Sequence, residues 1–199
     1  MRRALALLGF VLLTVPGSAA GQWGLALEVG VARFAGTSED TSAATVNGRF
    51  EPYVPMLVGI TIDRRIRRAT LGLRLTYASG ALALETDGPT VFERATMPHA
   101  QAALEIAWPL ARLGAGARLS LHAGPLIEVW ALEGEEARSR LGGQIAGSLD
   151  CPLGGRFASA VTVRLGVTPS VFKAGELPVE FVRRASWRTS VAFGLRYGR

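Results

Sequence analysis

The sequence predicts an all-β chain, an eight-stranded antiparallel up-and-down transmembrane β-barrel. Three observations point there. Apolar residues recur at every second position in eight separate stretches, which is the period of a strand with one greasy and one wet face. The connections between those stretches alternate long and short. The apolar rows carry no charge, although 19% of the 199 residues are charged. The closing stretch, Ala185–Tyr197, is the clearest: Ala185, Trp187, Thr189, Val191, Phe193, Leu195 and Tyr197 form one row, and Ser186, Arg188, Ser190, Ala192, Gly194 and Arg196 form the other. About a dozen residues exceed the usual five or six of a soluble strand and suit a tilted strand crossing a bilayer.

Taken in order, Met1–Ala20 reads as a secretory signal peptide, leaving 21–199 as the barrel domain. Arg2 and Arg3 supply the positive start, Ala4–Val15 an apolar core, and Ser18-Ala19-Ala20 small residues for cleavage. That core is too short for a spanning helix, which needs about 20 apolar residues. The first strand begins at Trp23, with Leu25, Leu27, Val29 and Val31 on the lipid side. A polar stretch, Gly36–Gly48, follows. The second strand turns Val54, Met56, Val58, Ile60 and Ile62 to the lipid and ends at Asp63, and Arg64–Arg68 makes a tight basic turn.

The third strand alternates Leu71, Leu73, Leu75 and Tyr77 with Thr70, Gly72, Arg74 and Thr76; the fourth sets Ala100, Ala102, Leu104, Ile106 and Trp108 against Gln101, Ala103, Glu105 and Ala107. The fifth opposes Leu119, Leu121, Ala123, Ile127 and Val129 to Arg118, Ser120, His122, Gly124, Glu128 and Trp130. Pro125 within it predicts a bulge or other irregularity, because proline cannot donate to the ladder. Glu133–Arg140 reads as a charged loop. The sixth strand, Gly142–Cys151, has a weak apolar row; the seventh, with Phe157, Val161, Val163, Leu165 and Val167, is strong. Thr168–Arg184 reads as the last long loop.

Long connections follow the odd-numbered strands and short ones the even, the asymmetry of a barrel with tight periplasmic turns and longer external loops. A soluble barrel would show the same alternation with the opposite polarity. The aromatic ends decide: Trp23, Trp108, Phe157 and Tyr197 gather at the short-turn end, and Tyr77 and Trp187 at the other, as interfacial belts do. The expected location is the bacterial outer membrane after export, with outer-membrane lipid as the solvent of the apolar rows.

The formal charge of +6 falls to +4 once Arg2 and Arg3 are set aside. Its arginines alternate with apolar residues instead of clustering with aromatics on one face, so nucleic acid is not an expected partner. On the inward rows, Glu28, Glu105, Glu128 and Asp150 stand beside Arg74, Arg118, Arg164, Arg188 and Arg196, with His122 near Glu105. Near-balance of the signs predicts one polar network paired across the barrel axis, with Arg118 as a stabilising member. Arginine suits this because its planar fork bridges two carboxylates.

Catalytic and metal chemistry find little footing. Only His99 and His122 exist, and Cys151 is the single cysteine, so neither a metal-ligand set nor a disulfide is expected. Cys151 reads as an inert, small apolar side chain. His99, expected nearer the external rim with Ser79 and Glu93 as neighbours, is read as a rim polar residue, not as a base. No phosphate-loop pattern occurs among the glycines, and no cofactor is expected.

The signal peptide, the amphipathic strands and a final strand carrying Gly194-Leu195-Arg196-Tyr197 resemble the small outer-membrane barrels of the OmpA/OmpX type. The resemblance covers Gln22–Arg199 and rests on architecture. It implies that Gly194 and Tyr197 belong to an assembly signal read by the barrel-insertion machinery, although Arg199 stands where that family places an aromatic. The function expected is non-enzymatic: envelope reinforcement, or action through external loops on a partner the sequence does not name. The alternatives are a narrow pore or small apolar-ligand conduit and, third, a lipid-modifying hydrolase of the outer membrane.

Overall fold

A computed structural model of the chain describes residues 23–35, 38–40, 49–85, 91–131, 136–172, 181–183 and 185–198. The expected signal peptide, Arg199 and most of the long connections lie outside the described residues. Eight strands close into one antiparallel barrel: β1 (Trp23–Ala35), β3 (Arg49–Ile66), β4 (Ala69–Glu85), β5 (Val91–Arg112), β6 (Arg118–Trp130), β7 (Arg138–Gly154), β8 (Phe157–Thr168) and β10 (Ser186–Tyr197). Each pairs with its sequence neighbour, and β1 closes on β10 from Leu25↔Tyr197 to Ala35↔Trp187. Closure removes the two open edges that a flat sheet would expose, which hydrocarbon would penalise because it offers no substitute hydrogen bonds.

The alternation reads as the sequence predicts. Leu27, Val29, Val31, Leu75, Leu104, Ile145, Val163 and Phe193 turn away from the barrel, while Arg74, Glu105, Glu128, Asp150, Arg164 and Arg188 are buried within it. A continuous apolar exterior around a charged interior is the polarity of a membrane barrel, the reverse of a soluble one. The outer face of β1 stays uncharged up to Val31; its first charge is Arg33, close to the long-loop end. Phe157 and Tyr197 pack at 5.1 Å at the opposite, short-turn end, and the Arg64 guanidinium lies 5.5 Å from the Trp23 ring.

Three expectations change. β3, β4, β5 and β7 run to 17 residues or more, beyond the 9–11 or so that cross a bilayer, so the sheet continues past the long-loop end of the apolar band. The last three residues of the charged loop expected over Glu133–Arg140 are strand, since β7 starts at Arg138. The two long polar connections also contain strands: β2 (Ser38–Asp40) pairs with β9 (Phe181–Arg183), tying the first long loop to the last.

Pro125 produces no register shift. It stays opposite Gly143 in β7, and on the other side the β5–β6 pairs stop at Ala103↔Leu126 and resume in the same register at Ile106↔Ala123. The missing N–H interrupts the ladder locally without inserting a residue. The bulges fall elsewhere: between Gly30 and Ala32, Tyr53 and Met56, Ala81 and Leu82, Pro109 and Ala111, and Pro152 and Gly154. The side chain of Val54, expected on the lipid side, lies outside those described.

Candidate functional site

The lumen is the only place where this fold gathers chemistry among the described residues, and it is built in three layers. An eight-stranded barrel is just wide enough for its own side chains to fill. Whatever charge points inward must therefore find its partner in protein.

The middle layer does so with three carboxylates and three guanidiniums. Glu28 on β1 accepts from Arg164 Nη2 at 2.7 Å and from Arg74 Nη1 at 3.4 Å. Glu105 on β5 takes Arg74 Nε at 2.8 Å, with Arg164 Nε at 3.8 Å. Glu128 on β6 takes Arg188 Nη1 at 2.8 Å and Thr168 Oγ1 at 3.1 Å. Two amides join the halves. The Gln144 carbonyl oxygen accepts from Arg74 Nη2 at 2.7 Å, Gln101 Nε2 at 3.0 Å and Arg188 Nη2 at 3.2 Å, and the Gln144 amide donates to Glu105. Gln101 in turn accepts from Arg188 and from Thr76 Oγ1. Charge-assisted contacts of this kind are the strong members of the hydrogen-bond family, and Arg74 spreads its fork over Glu105, Glu28 and Gln144.

One glycine makes room for this cluster. A Cβ at Gly59 on β3 would lie 2.8 Å from both Glu28 Cγ and Thr76 Cγ2. β3 contributes space where its neighbours contribute charge, and the alternation alone did not single it out.

The long-loop layer is apolar. Phe34, Leu57, Ala78, Met97, Trp130, Val171 and Phe172 form a buried cluster, with Trp130 and Val171 wholly enclosed. Val171 and Phe172 belong to the connection after β8, folded back over the barrel mouth. Arg140 Nε donates to the Ser170 carbonyl at 2.6 Å, while Arg138 Nη1 and Arg140 Nη2 donate to the Val171 carbonyl at 3.2 and 3.1 Å. The interior is therefore not polar throughout.

His99 sits at the junction of these layers. Its ring lies 4.2 Å from Trp130 and 5.8 Å from Phe34, with Nε2 3.7 Å from Glu128. This corrects the rim placement: His99 is buried in the lumen, whereas Ser79 faces outward on β4. Alternation puts the two on opposite faces of the sheet. The Glu93 side chain lies outside those described.

The short-turn layer holds Arg118, Asp150 and Arg196, apart from the central cluster. Arg118 and Asp150 are register partners on β6 and β7, and Arg196 Nη2 meets Asp63 at 3.3 Å. In sequence Asp63 marks only the end of a row, yet its odd position in β3 places it on the lumen side with Thr61, both buried. Arg118 is half-buried at this mouth opposite Asp150, outside the central cluster that Arg74, Arg164 and Arg188 build.

His122 links the centre to the mouth. Its Nδ1 is 3.3 Å from Glu105 Oε2 and its Nε2 2.8 Å from Ser148 Oγ. Serine, histidine and acid in that order form the skeleton of a nucleophile with its base and orienting group. Of the two cavities that His122 lines, the one it shares with Ser148 measures about 30 Å³, room for a water or two and not for an acyl chain. Ser148 had no sequence signal beyond its parity.

The central pairs predict strong coupling. Arg164→Met should lower unfolding stability by about 3 kcal/mol, because Glu28 loses its 2.7 Å partner and keeps only Arg74 at 3.4 Å. Adding Glu28→Leu should recover more than half of that loss. Urea unfolding in phospholipid vesicles, followed by tryptophan fluorescence, reads both; additive losses would contradict the pairing.

No protein-family model matches the chain, and no curated protein matches it in sequence. Similarity lies in the fold. The chain is similar to the crystal structure of Neisserial surface protein A (NspA), with a TM-score of 0.60 at 10% identity over 90% of this chain and 97% of that one. It is also similar to the outer membrane protein OprG from Pseudomonas aeruginosa, with a TM-score of 0.53 at 11% identity over 89% of this chain and 97% of that one. The architecture is that of the small eight-stranded outer-membrane barrels.

Proposed function

We propose that this chain is a non-enzymatic barrel of the bacterial outer membrane, sealed along its axis, which stiffens the envelope and holds its long loops to the outside. The observation that carries this reading is the double closure of the lumen. A charge cluster fills the centre, and an apolar plug around Trp130 and Val171 fills the long-loop end. Among the described residues, the cavity between plug and cluster, beside His99 and Arg188, measures about 10 Å³, room for one water at most. The β2–β9 pairing supports the loop-holding part, since it joins two connections that would otherwise move independently. The apolar exterior and the likeness to two outer-membrane barrels support the location.

Planar-bilayer recording of the refolded chain tests the seal. No steady unitary current is expected; a stable conductance from the unmodified protein would favour the pore reading and overturn this one.

The assembly role of Gly194 and Tyr197 belongs to the same proposal. Gly194 sits at the closing seam opposite Glu28, and a Cβ there would lie 2.9 Å from the Leu27 carbonyl oxygen. Gly194→Val should slow barrel formation more than Leu195→Val, as followed by the gel-mobility difference between folded and unfolded chains. Equal rates would remove Gly194 from the signal.

A further inference from the structure

The short-turn mouth of the barrel is charged in one sense. Arg65 from the end of β3, Arg68 from the β3–β4 turn, Arg112 from the end of β5, Arg118 from the start of β6 and Arg196 from β10 line a cavity of about 100 Å³. Asp150 is the one acid on its wall among the described residues, and the next acid, Asp63, is engaged by Arg196 at 3.3 Å. Five guanidiniums against two carboxylates leave an excess of three positive charges. The central cluster, by contrast, balances three against three.

The backbone is shaped to this end. Along β5 the even-numbered residues from Ala100 to Leu110 face the lipid, so simple alternation would send Arg112 there too. Instead Pro109 pairs with Ser120 and Ala111 with Leu119, which makes Leu110 an extra residue. A one-residue bulge reverses the parity of everything after it. Arg112 thus turns to the lumen side and lands directly opposite Arg118. Like charges in directly facing positions destabilise a sheet unless something of opposite sign lies between them. Arg65, at the end of β3, spends its Nε on the Arg67 carbonyl at 3.4 Å, which keeps its terminal nitrogens clear of that bond.

We infer that this mouth is a binding site for a small phosphate-bearing anion, seated between Arg112 and Arg118 with Arg65, Arg68 and Arg196 around it. Guanidinium forks match the paired oxygens of a phosphate, and several converging forks select it over a simple halide. The volume holds several waters, enough for one small oxyanion with part of its hydration. The cavity lies on the aqueous side of the charge cluster, so the anion enters and leaves from the compartment that the short turns face. The same chemistry is offered by soluble phosphate and by the headgroups of anionic lipids around that rim.

The test uses the full chain refolded into phosphatidylcholine nanodiscs and titrated with inorganic phosphate at fixed ionic strength, read by calorimetry and phosphorus NMR. One saturable site per barrel is expected. Arg112→Gln should weaken it about tenfold or more, the effect of losing a charge-assisted hydrogen bond. Arg156→Gln removes the same charge from the neighbouring β7–β8 turn, outside the cavity, and should change affinity by no more than about twofold. Without phosphate, Arg112→Gln should melt at or above the wild-type temperature, because the facing repulsion is relieved; misfolding is thereby separated from loss of the site. Nanodiscs of phosphatidylglycerol distinguish the source. Weaker phosphate binding there, abolished by Arg112→Gln, identifies lipid headgroups as occupants, and unchanged binding identifies soluble phosphate. Non-saturating uptake, or equal losses in the two variants, would reduce the site to diffuse surface charge and overturn the inference.

Discussion

The pairing of Arg74 and Arg164 with Glu28 and Glu105 is the interaction on which the rest of the barrel depends. Eight strands close a cylinder with no space for a water column, while the membrane outside demands an apolar exterior. Polar residues can only point inward, and an isolated ion there would be far too costly to bury. The chain meets this constraint with complementary charges from several strands: Glu28 on β1 reaches Arg164 on β8 and Arg74 on β4, and Arg74 also holds Glu105 on β5. The two Glu28 pairs tether strands that the backbone ladder does not join directly, while Arg74–Glu105 braces the neighbouring strands β4 and β5. The barrel is stiffened by its polar interior as well as by its hydrogen-bonded wall.

Around that cluster the lumen is asymmetric. Toward the long loops the side chains become apolar, and the folded-back Val171–Phe172 segment is fastened by Arg138 and Arg140 through backbone carbonyls. Toward the short turns the side chains become arginine-rich and a cavity opens. One end therefore excludes water by packing, and the other retains it by charge. The β2–β9 ladder extends the ordered part beyond the plug and links the first and last long loops.

Most of the wall was legible in the sequence because a transmembrane strand obeys a period of two under a severe penalty for error. The inward positions of Glu28, Arg74, Glu105, Glu128, Arg164 and Arg188 follow from parity alone. What parity cannot give is depth or partner. It grouped Arg118, Asp150 and Arg196 with the central charges, although they stand at the mouth. It passed over Asp63, which looked like the end of a row, and Ser148, which is one small polar residue among many. Bulges were hidden for a different reason: one extra residue changes the face of Arg112 without changing composition. The plug was hidden because Val171 and Phe172 sit in a connection, where alternation says nothing, and their burial depends on arginines from another strand. Pro125 meets its local rule in part: the ladder to β5 lapses beside it, as the missing N–H requires, while the register on either side is unchanged.

The central claim is that the lumen is dry and paired above its short-turn mouth. Cysteine accessibility tests it most directly, because Cys151 is the only native thiol and can first be replaced by serine. Ser120, on the wall of the mouth cavity, and Ala103, buried in the central layer, are then converted to cysteine one at a time in the refolded barrel. A small charged methanethiosulfonate reagent should modify position 120 readily and leave position 103 unmodified until the protein is unfolded. Comparable reaction at both positions in the folded barrel would mean a water-filled lumen and would contradict the account.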